Sequence, residues 1–561
     1  MNQLMHSIIL SDFLFHTMAA KKAPSSLLKQ LGKRYIERTC ADFPQWGSSL
    51  GFTKFEPLLA GSDEQTRRER IKFLEGLLDE TEAIPAQTMK ADDWLDWRCF
   101  LSLIRTELLN DRDLARWRSN PQECCGAAVG SVFELVIRHA DDLGKARLSI
   151  EARLAAIPDF LRQGASAIRN PVPLWTKLAI QSCKGSREFL ETLGETLRAL
   201  SPEPERTRTL ARQAARAFDA YASALKKKKP GRPHDFAIGR ERFELLVRER
   251  CGLDWSMQEI ETEGYRLIAE ISAELEQEAK KLSGKSRITA AQLLVEARDA
   301  WTPTAPLLEL YSRSSAEWRK RVIESGLFPV PLGESLKVTP VSDFMRDHFP
   351  TAAYSSPGAF ERKQRGIFWV NDLGLTKNNS TEALREVRQH FGLELTSAHE
   401  GYPGHHLQFA IQYRHPSHIR RLCSHAIFYE GWTMWCEKLA VEQGWVSEPI
   451  ARLQQMHDAL WRAYRIVIDC GLHSGKLTHE AAARMLVKGV GFTPARARAD
   501  VNWYTPAPTV PMSYLLGRLE LERLKDHMMA KESWTLRQFH DWALAHGAIP
   551  WAWIDQSRLR D

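Results

Sequence analysis

Three histidines and one glutamate fall within the eight residues His399-Glu400-Gly401-Tyr402-Pro403-Gly404-His405-His406. A hydrolytic zinc takes three protein ligands and keeps one position open for water. The usual helical solution is His-Glu-x-x-His, with two histidines one turn apart as ligands and the glutamate as general base. Here Pro403 occupies the place of the second histidine. In an unbroken helix His405 would be turned about 120° from His399 and displaced by about 9 Å, and His406 would lie about 10.5 Å along the axis. Nitrogens that each stand about 2 Å from one zinc cannot be so far apart. The helix must therefore bulge or break at Gly401, Pro403 and Gly404, because Pro403 has no N–H for the carbonyl of His399. A two-residue insertion puts His405 in the second ligand position. His406 then supports a ligand or meets the substrate, and an exchange of the two histidines is the alternative.

The third ligand is expected downstream. Glu430, in Tyr429-Glu430-Gly431-Trp432, is preferred because the glycine beside it allows close helix approach, and Glu437 falls on nearly the same helical face. Whichever of the two does not bind metal can orient a ligand. The expected set is His399, His405 and Glu430 holding Zn2+, with Glu400 as general base for hydrolysis of an amide, most simply in a peptide. A developing oxyanion needs a donor besides the metal. Tyr514 ranks first for that role, with His473 and Tyr504 behind it, and ordinary packing is the competing account of all three. Arg465 could receive a substrate carboxylate, but one turn before Asp469 an intrahelical ion pair is favoured.

Composition narrows the partners. The chain has 561 residues, 43% hydrophobic and 26% charged, which suits a globular protein large enough for two lobes. The net charge of +7 is small, and Lys226-Lys227-Lys228-Lys229 reads as an exposed linker rather than a nucleic-acid surface, since no recognition motif accompanies it. Nine scattered cysteines, none in a Cys-x-x-Cys pair, fit reduced thiols in the cytoplasm. Met1 to Met18 lacks a basic start and a lipobox cysteine, so no signal peptide is expected, and no stretch reaches the length of a membrane span. The expected partner is a peptide or small amide, with neither nucleic acid nor membrane, and homodimerisation is left open.

The elements that must position these residues are mostly helices. Asp63 to Glu82, Arg187 to Leu200, Glu205 to Leu225, Ser256 to Leu282 and Thr289 to Ala300 carry apolar residues at three- and four-residue spacing. Ser380 or Thr381 caps a further helix reaching His390. Between Leu327 and Asn371, Val330 to Val341 and Gly366 to Val370 suggest a small sheet or strand pair. The latter strand is a candidate to pair with extended substrate. The stretch Lys226 to Pro233 divides an N-terminal helical lobe, 24–225, from a C-terminal lobe, 234–561.

The motifs resemble a known family, the bacterial proteins grouped as domain of unknown function 885. The pattern His-Glu-x-x-Pro-Gly-His-His-x-Gln is met by His399, Glu400, Pro403, Gly404, His405, His406 and Gln408. Glu430-Gly431-Trp432 through Glu437 is similar to a second motif, with Trp435 where tyrosine is usual, and Asp469, Gly471 and His473 to a third. In the fourth, Ser513-Tyr514-Leu515-Leu516-Gly517 is kept, but the preceding Pro-Gly-Gln is replaced, so a role for that glutamine does not carry over. The resemblance is strong from about Ala237 onward. It implies a mainly α, zincin-like, two-lobed fold similar to carboxypeptidase Taq and the oligopeptidases, with a small β-sheet or hairpin beside the metal cleft. It implies a zinc metallopeptidase-like hydrolase more weakly than it implies fold and metal. A non-catalytic metal-binding protein on the same scaffold is the alternative, and the intact Glu400 argues against it.

Overall fold

The computed structural model describes residues 24–284, 287–341, 351–373, 381–446 and 448–560. The segment Met1 to Met18 and the N-cap candidate Ser380 lie outside the described residues. Helices dominate, joined by one three-stranded sheet. The expected helices form as Glu64–Glu82, Pro173–Ala199, Pro204–Lys226, Met257–Ser283, Ala290–Ala300 and Thr381–Val387. Their ends follow from local chemistry. Asp63 accepts a hydrogen bond from the Thr66 N–H, and Ser256 and Glu259 form a reciprocal capping box that opens Met257–Ser283. That helix closes at Gly284 in the left-handed conformation, which favours glycine.

Two large cores hold the helices together. Pro121–Arg138, Leu143–Ala167, Pro173–Ala199 and Pro204–Lys226 form a bundle around Val132, Leu154, Leu190 and Phe218. The lysine run begins at the end of its last helix, Pro204–Lys226. Residues 24–109 belong elsewhere. Leu28, Leu74, Leu95 and Ile104 share one continuous core with Phe243, Trp432, Leu515 and Ile554. By burial, a 121–226 bundle is set against a larger core to which both ends of the described chain contribute. None of the described helices is long and apolar enough to cross a membrane.

The sheet has the order β1-β3-β2, with β1 at Ser335–Pro340, β2 at Ala352–Ser355 and β3 at Arg365–Val370. β1 runs parallel to β3, pairing Lys337 with Ile367, and β2 runs antiparallel to it, pairing Tyr354 with Phe368. The two strands read from the sequence are therefore not a hairpin. A parallel pair needs a crossover between its strands, and β2 is built from that intervening segment. β3 is apolar on both faces because both are covered. Phe368 and Val370 pack with Leu307 and Tyr311, while Ile367 and Trp369 pack towards Phe133 and Ile137 of the bundle. Being central, β3 has no free edge for an extended substrate. β2 is the strand left at the side nearer the histidines.

Candidate metal centre

The backbone breaks where the proline and glycines predict. The helix Leu393–Glu400 ends, Gly401 to Gly404 cross over, and a second helix, His405–Gln412, begins at once. The Tyr402–Pro403 peptide is cis. A Cβ on Gly404 would stand 1.9 Å from the carbonyl oxygen of His399 and 2.4 Å from that of Ala398, so this approach requires glycine. The Gly404 N–H reaches the Ala398 carbonyl at 3.0 Å, and the Trp432 indole N–H donates to the Pro403 carbonyl at 2.9 Å. The crossover is therefore held from inside the core.

The break brings His405 over His399, with ring centroids 4.9 Å apart and planes at 87°. The third member comes from the helix Ala426–Glu442. Glu430 Oε2 lies 3.7 Å from His399 Nε2 and 3.6 Å from His405 Nε2. One ligand atom from each of His399, His405 and Glu430 falls within 4.8 Å of the others. Gly431 explains the position of Glu430. Its Cα side meets Gly517 of the helix Val510–Glu532, and a Cβ on Gly517 would stand 2.1 Å from the Ile427 carbonyl oxygen. That close crossing also brings Tyr514 beside Glu430, whose carboxylate it hydrogen-bonds.

Glu437, two turns along from Glu430, takes the other side of His399. Its Oε1 accepts from His399 Nδ1 at 2.6 Å, which leaves Nε2 directed at the other two. A carboxylate on the outer nitrogen of a metal-binding histidine is the arrangement that fixes ring orientation and raises ligand basicity.

The electrostatics are those of a site short of positive charge. Burial raises the Glu430 carboxyl above its ordinary range, against the pull of His399 and the hydrogen bond from Tyr514. Burial also lifts Glu400 to about 7, opposed by His399 and by the backbone N–H of Tyr354 on β2. Burial alone would depress His399, but the Glu437 hydrogen bond and the surrounding carboxylates outweigh it and hold the ring at about 9. His405 is driven well below its usual range by burial and by His399, and so presents a neutral ring. Glu430 Oε2 and His405 Nδ1 are buried without a hydrogen-bond partner among the described residues. An unsatisfied buried carboxylate oxygen is costly. Two imidazole nitrogens and one carboxylate oxygen are a donor set that zinc accepts. The residues present therefore fit a zinc ion held by His399, His405 and Glu430.

His406 points the other way. Its Nε2 lies 2.8 Å from Glu334 Oε2 and its Nδ1 3.3 Å from the Tyr354 hydroxyl. Glu334, just before β1, also accepts from Tyr402 Oη and from Arg319 Nε, the latter at 2.9 Å. Burial would raise this carboxyl, but the hydrogen bonds of His406 and Tyr402 prevail and hold it at about 2. The cluster ties the crossover to the sheet. A Cβ on Gly366 of β3 would stand 2.5 Å from His406 Nδ1, so the strand packs directly on this histidine.

Three other residues singled out in the sequence stand apart from the cluster. His473 is fully buried, stacked on Phe243, with its Nε2 3.4 Å from the Tyr504 carbonyl and 3.6 Å from Asp469 Oδ1. None of these contacts reaches the three clustered residues, because the last turn of Pro449–His473 is sunk in the core, where burial pushes the imidazole down to about 3. Tyr504 likewise faces Arg465, Trp461 and Asp500 instead of the centre. The ion pair between Arg465 and Asp469 does not form. Asp469 accepts the Met512 N–H at 3.4 Å, and Arg465 turns into a group of aromatic rings. Sequence reasoning did not single out Glu334, Arg319 or Tyr354. They lie 52 to 87 positions before His406 in the chain, and no local spacing marks them.

The family model described as "Bacterial protein of unknown function (DUF885)" matches residues 44–557. Among solved structures, the fold is similar to that of a "putative lipoprotein of unknown function" from Shewanella oneidensis, with a TM-score of 0.76 at 19% identity over 95% of this chain and 99% of that one. It is also similar to that of a "putative lipoprotein" from Colwellia psychrerythraea, with a TM-score of 0.75 at 18% identity over 95% of this chain and 98% of that one. No curated protein matches the sequence.

Proposed function

The chain belongs to the DUF885 family of bacterial proteins, and on that footing we propose that it is a zinc-dependent hydrolase of the peptidase type. The observation that carries this reading is the convergence of His399 Nε2, His405 Nε2 and Glu430 Oε2, with Glu400 directly beside the first of them. The likeness to zincin-like peptidases is part of the same proposal. The chemistry a bound zinc supplies is Lewis-acid activation of water and of the scissile amide carbonyl.

The remaining work falls to side chains of this chain. Glu400 takes a proton from the attacking water and passes it to the leaving amine. A carboxyl that burial lifts to about 7 is suited to both transfers near neutral pH. Glu437 holds the His399 ring by its Nδ1. We assign the developing oxyanion to the Tyr514 hydroxyl, which would turn its one proton from Glu430 to donate there. The Tyr354 backbone N–H of β2 meets Glu400, and β2 is the strand we assign for an extended peptide to pair with.

The substrate class is a short peptide or small amide. The nine cysteines are free, which supports a cytoplasmic setting. Metal removal tests the proposal. Dialysis against a chelator should reduce peptide hydrolysis to background, and stoichiometric zinc should restore it. Unchanged turnover in metal-free protein would sink the reading.

A further inference from the structure

A cleft of about 1180 Å³ lies where the sheet, the 121–226 bundle and the end of the helix His405–Gln412 meet. Its floor is apolar, with Ile367 of β3 against Phe133 and Ile137. Its rim is basic. Of the six cations that line it, Arg138 is paired with Glu134 at 2.8 Å and with Glu361, and Arg365 with Asp141 at 2.7 Å. Both acidic residues of the lining, Glu134 and Glu361, are thus engaged by Arg138. The other four cations, Arg362, Lys363, Arg414 and Arg421, enter no ion pair among the described residues. Arg414 donates to the carbonyls of Ala410 and Leu332, and Arg421 to that of His415, which hold each guanidinium without neutralising it. Arg362, Lys363 and Arg414 are exposed, so solvent reaches the cleft along this rim. Like charges around one hollow with low-dielectric walls focus a positive potential there.

The cleft continues the metal centre along two elements. On β2, Tyr354 stacks on His405 with ring centroids 6.5 Å apart and meets His406 through its hydroxyl, and the next residues, Ser355 and Ser356, already line the cleft. Along the helix, His405, Phe409 and Tyr413 follow one another at four-residue spacing, with successive centroids 6.2 and 5.5 Å apart. Tyr413 lines the cleft, and its hydroxyl meets Ser356 Oγ at 3.3 Å. Eight residues of helix cover about 12 Å, a span that an extended chain crosses in about four residues.

The geometry points to this cleft as a subsite for acidic side chains of the substrate, which narrows the peptide class to chains carrying aspartate or glutamate about three to five residues from the scissile bond. This rests on the hydrolase reading above. A guanidinium already bonded to one or two carbonyls keeps further N–H donors for a carboxylate. The edge strand β2 beside the cleft offers main-chain partners to a peptide. A nucleic-acid backbone has no alternating N–H and C=O groups to use them, so the same positive rim favours an acidic peptide.

The test is calorimetric binding to zinc-loaded Glu400→Gln protein, which holds substrate unconsumed, with octapeptides acetylated at one end and amidated at the other. Blocking both ends leaves side chains as the only carboxylates. One pair compares two adjacent glutamates with two glutamines near the N-terminus, and a second pair does so near the C-terminus. In one of the pairs the glutamate peptide should bind about threefold to twentyfold more tightly than its glutamine counterpart, the range of two partly exposed ion pairs. The gap should narrow at about 0.5 M salt. Combining Arg362→Gln, Lys363→Gln and Arg414→Gln should remove the preference while the glutamine peptides bind as before. The glutamate–glutamine comparison in protein with the native cleft stands whether or not that variant folds. Equal binding within both pairs, binding of no peptide, or a preference that survives the triple substitution would overturn the proposal. Tighter binding of an oligothymidylate than of any glutamate peptide would overturn it too, in favour of a nucleic-acid site. The two readings fail separately. Glutamate preference without turnover by protein with native Glu400 removes hydrolysis and keeps the cleft, whereas equal turnover of glutamate and glutamine peptides keeps hydrolysis and removes the cleft.

Discussion

Glu400→Gln is expected to leave zinc binding intact and to lower peptide turnover by about a hundredfold to ten-thousandfold, the usual contribution of a positioned general base. The residue is next in sequence to His399, yet it does not enter the set of atoms that converge on a metal position. Its carboxylate meets the Tyr354 backbone N–H and the field of His399 instead. Glutamine keeps the length and an acceptor oxygen but cannot carry the proton. Steady-state kinetics beside metal analysis of the same preparation reads both quantities. Wild-type turnover by the zinc-bound variant would remove Glu400 from the chemistry.

His405→Ala and His406→Ala are expected to separate metal binding from scaffolding, although the two histidines are adjacent. His405 faces His399 and Glu430, and has no competing partner on Nδ1. Removing it should weaken zinc binding by more than the tenfold to hundredfold typical of losing a supporting residue such as Glu437. His406 faces Glu334, Tyr354 and Tyr402. Its removal should leave zinc stoichiometry near that of wild type and cost about 1–3 kcal/mol of stability, because a buried carboxylate loses a partner. Equilibrium zinc titration and denaturant unfolding measure the two effects. Full zinc occupancy in His405→Ala with loss in His406→Ala would exchange their roles.

Much of this centre is legible in the sequence because its parts are local. Pro403 rules out a continuous helix by itself, and Gly401 and Gly404 mark the ends of the crossover. Glu430 and Glu437 share a face by helical periodicity, and Gly431 signals the tight crossing that Gly517 completes. What is hidden depends on distant contacts. Nothing near Glu334 indicates that it meets His406, since β1 has to be laid parallel to β3 before that pair exists. His473 and Asp469 look available in the sequence, but a helix buried around much of its circumference does not show from one chain which face meets the centre. Arg465 shows the same limit from the other side. Helical spacing favours its pairing with Asp469, and only the packing of Trp461, Trp503, Tyr504 and Tyr514 turns it away. The basic, proline-containing stretch at 226–233 is visible in the sequence, whereas the packing of residues 24–109 into one core with C-terminal residues is a tertiary choice with no local mark.

The most direct measurement is product analysis by mass spectrometry after zinc-loaded wild-type protein is incubated with a mixed peptide library, alongside Glu400→Gln as control. The account predicts peptide cleavage by the wild type that is lost or strongly reduced in the control. Zinc-loaded wild type that cleaves no peptide or other amide would contradict it, and would leave the centre as a metal-binding site without hydrolysis.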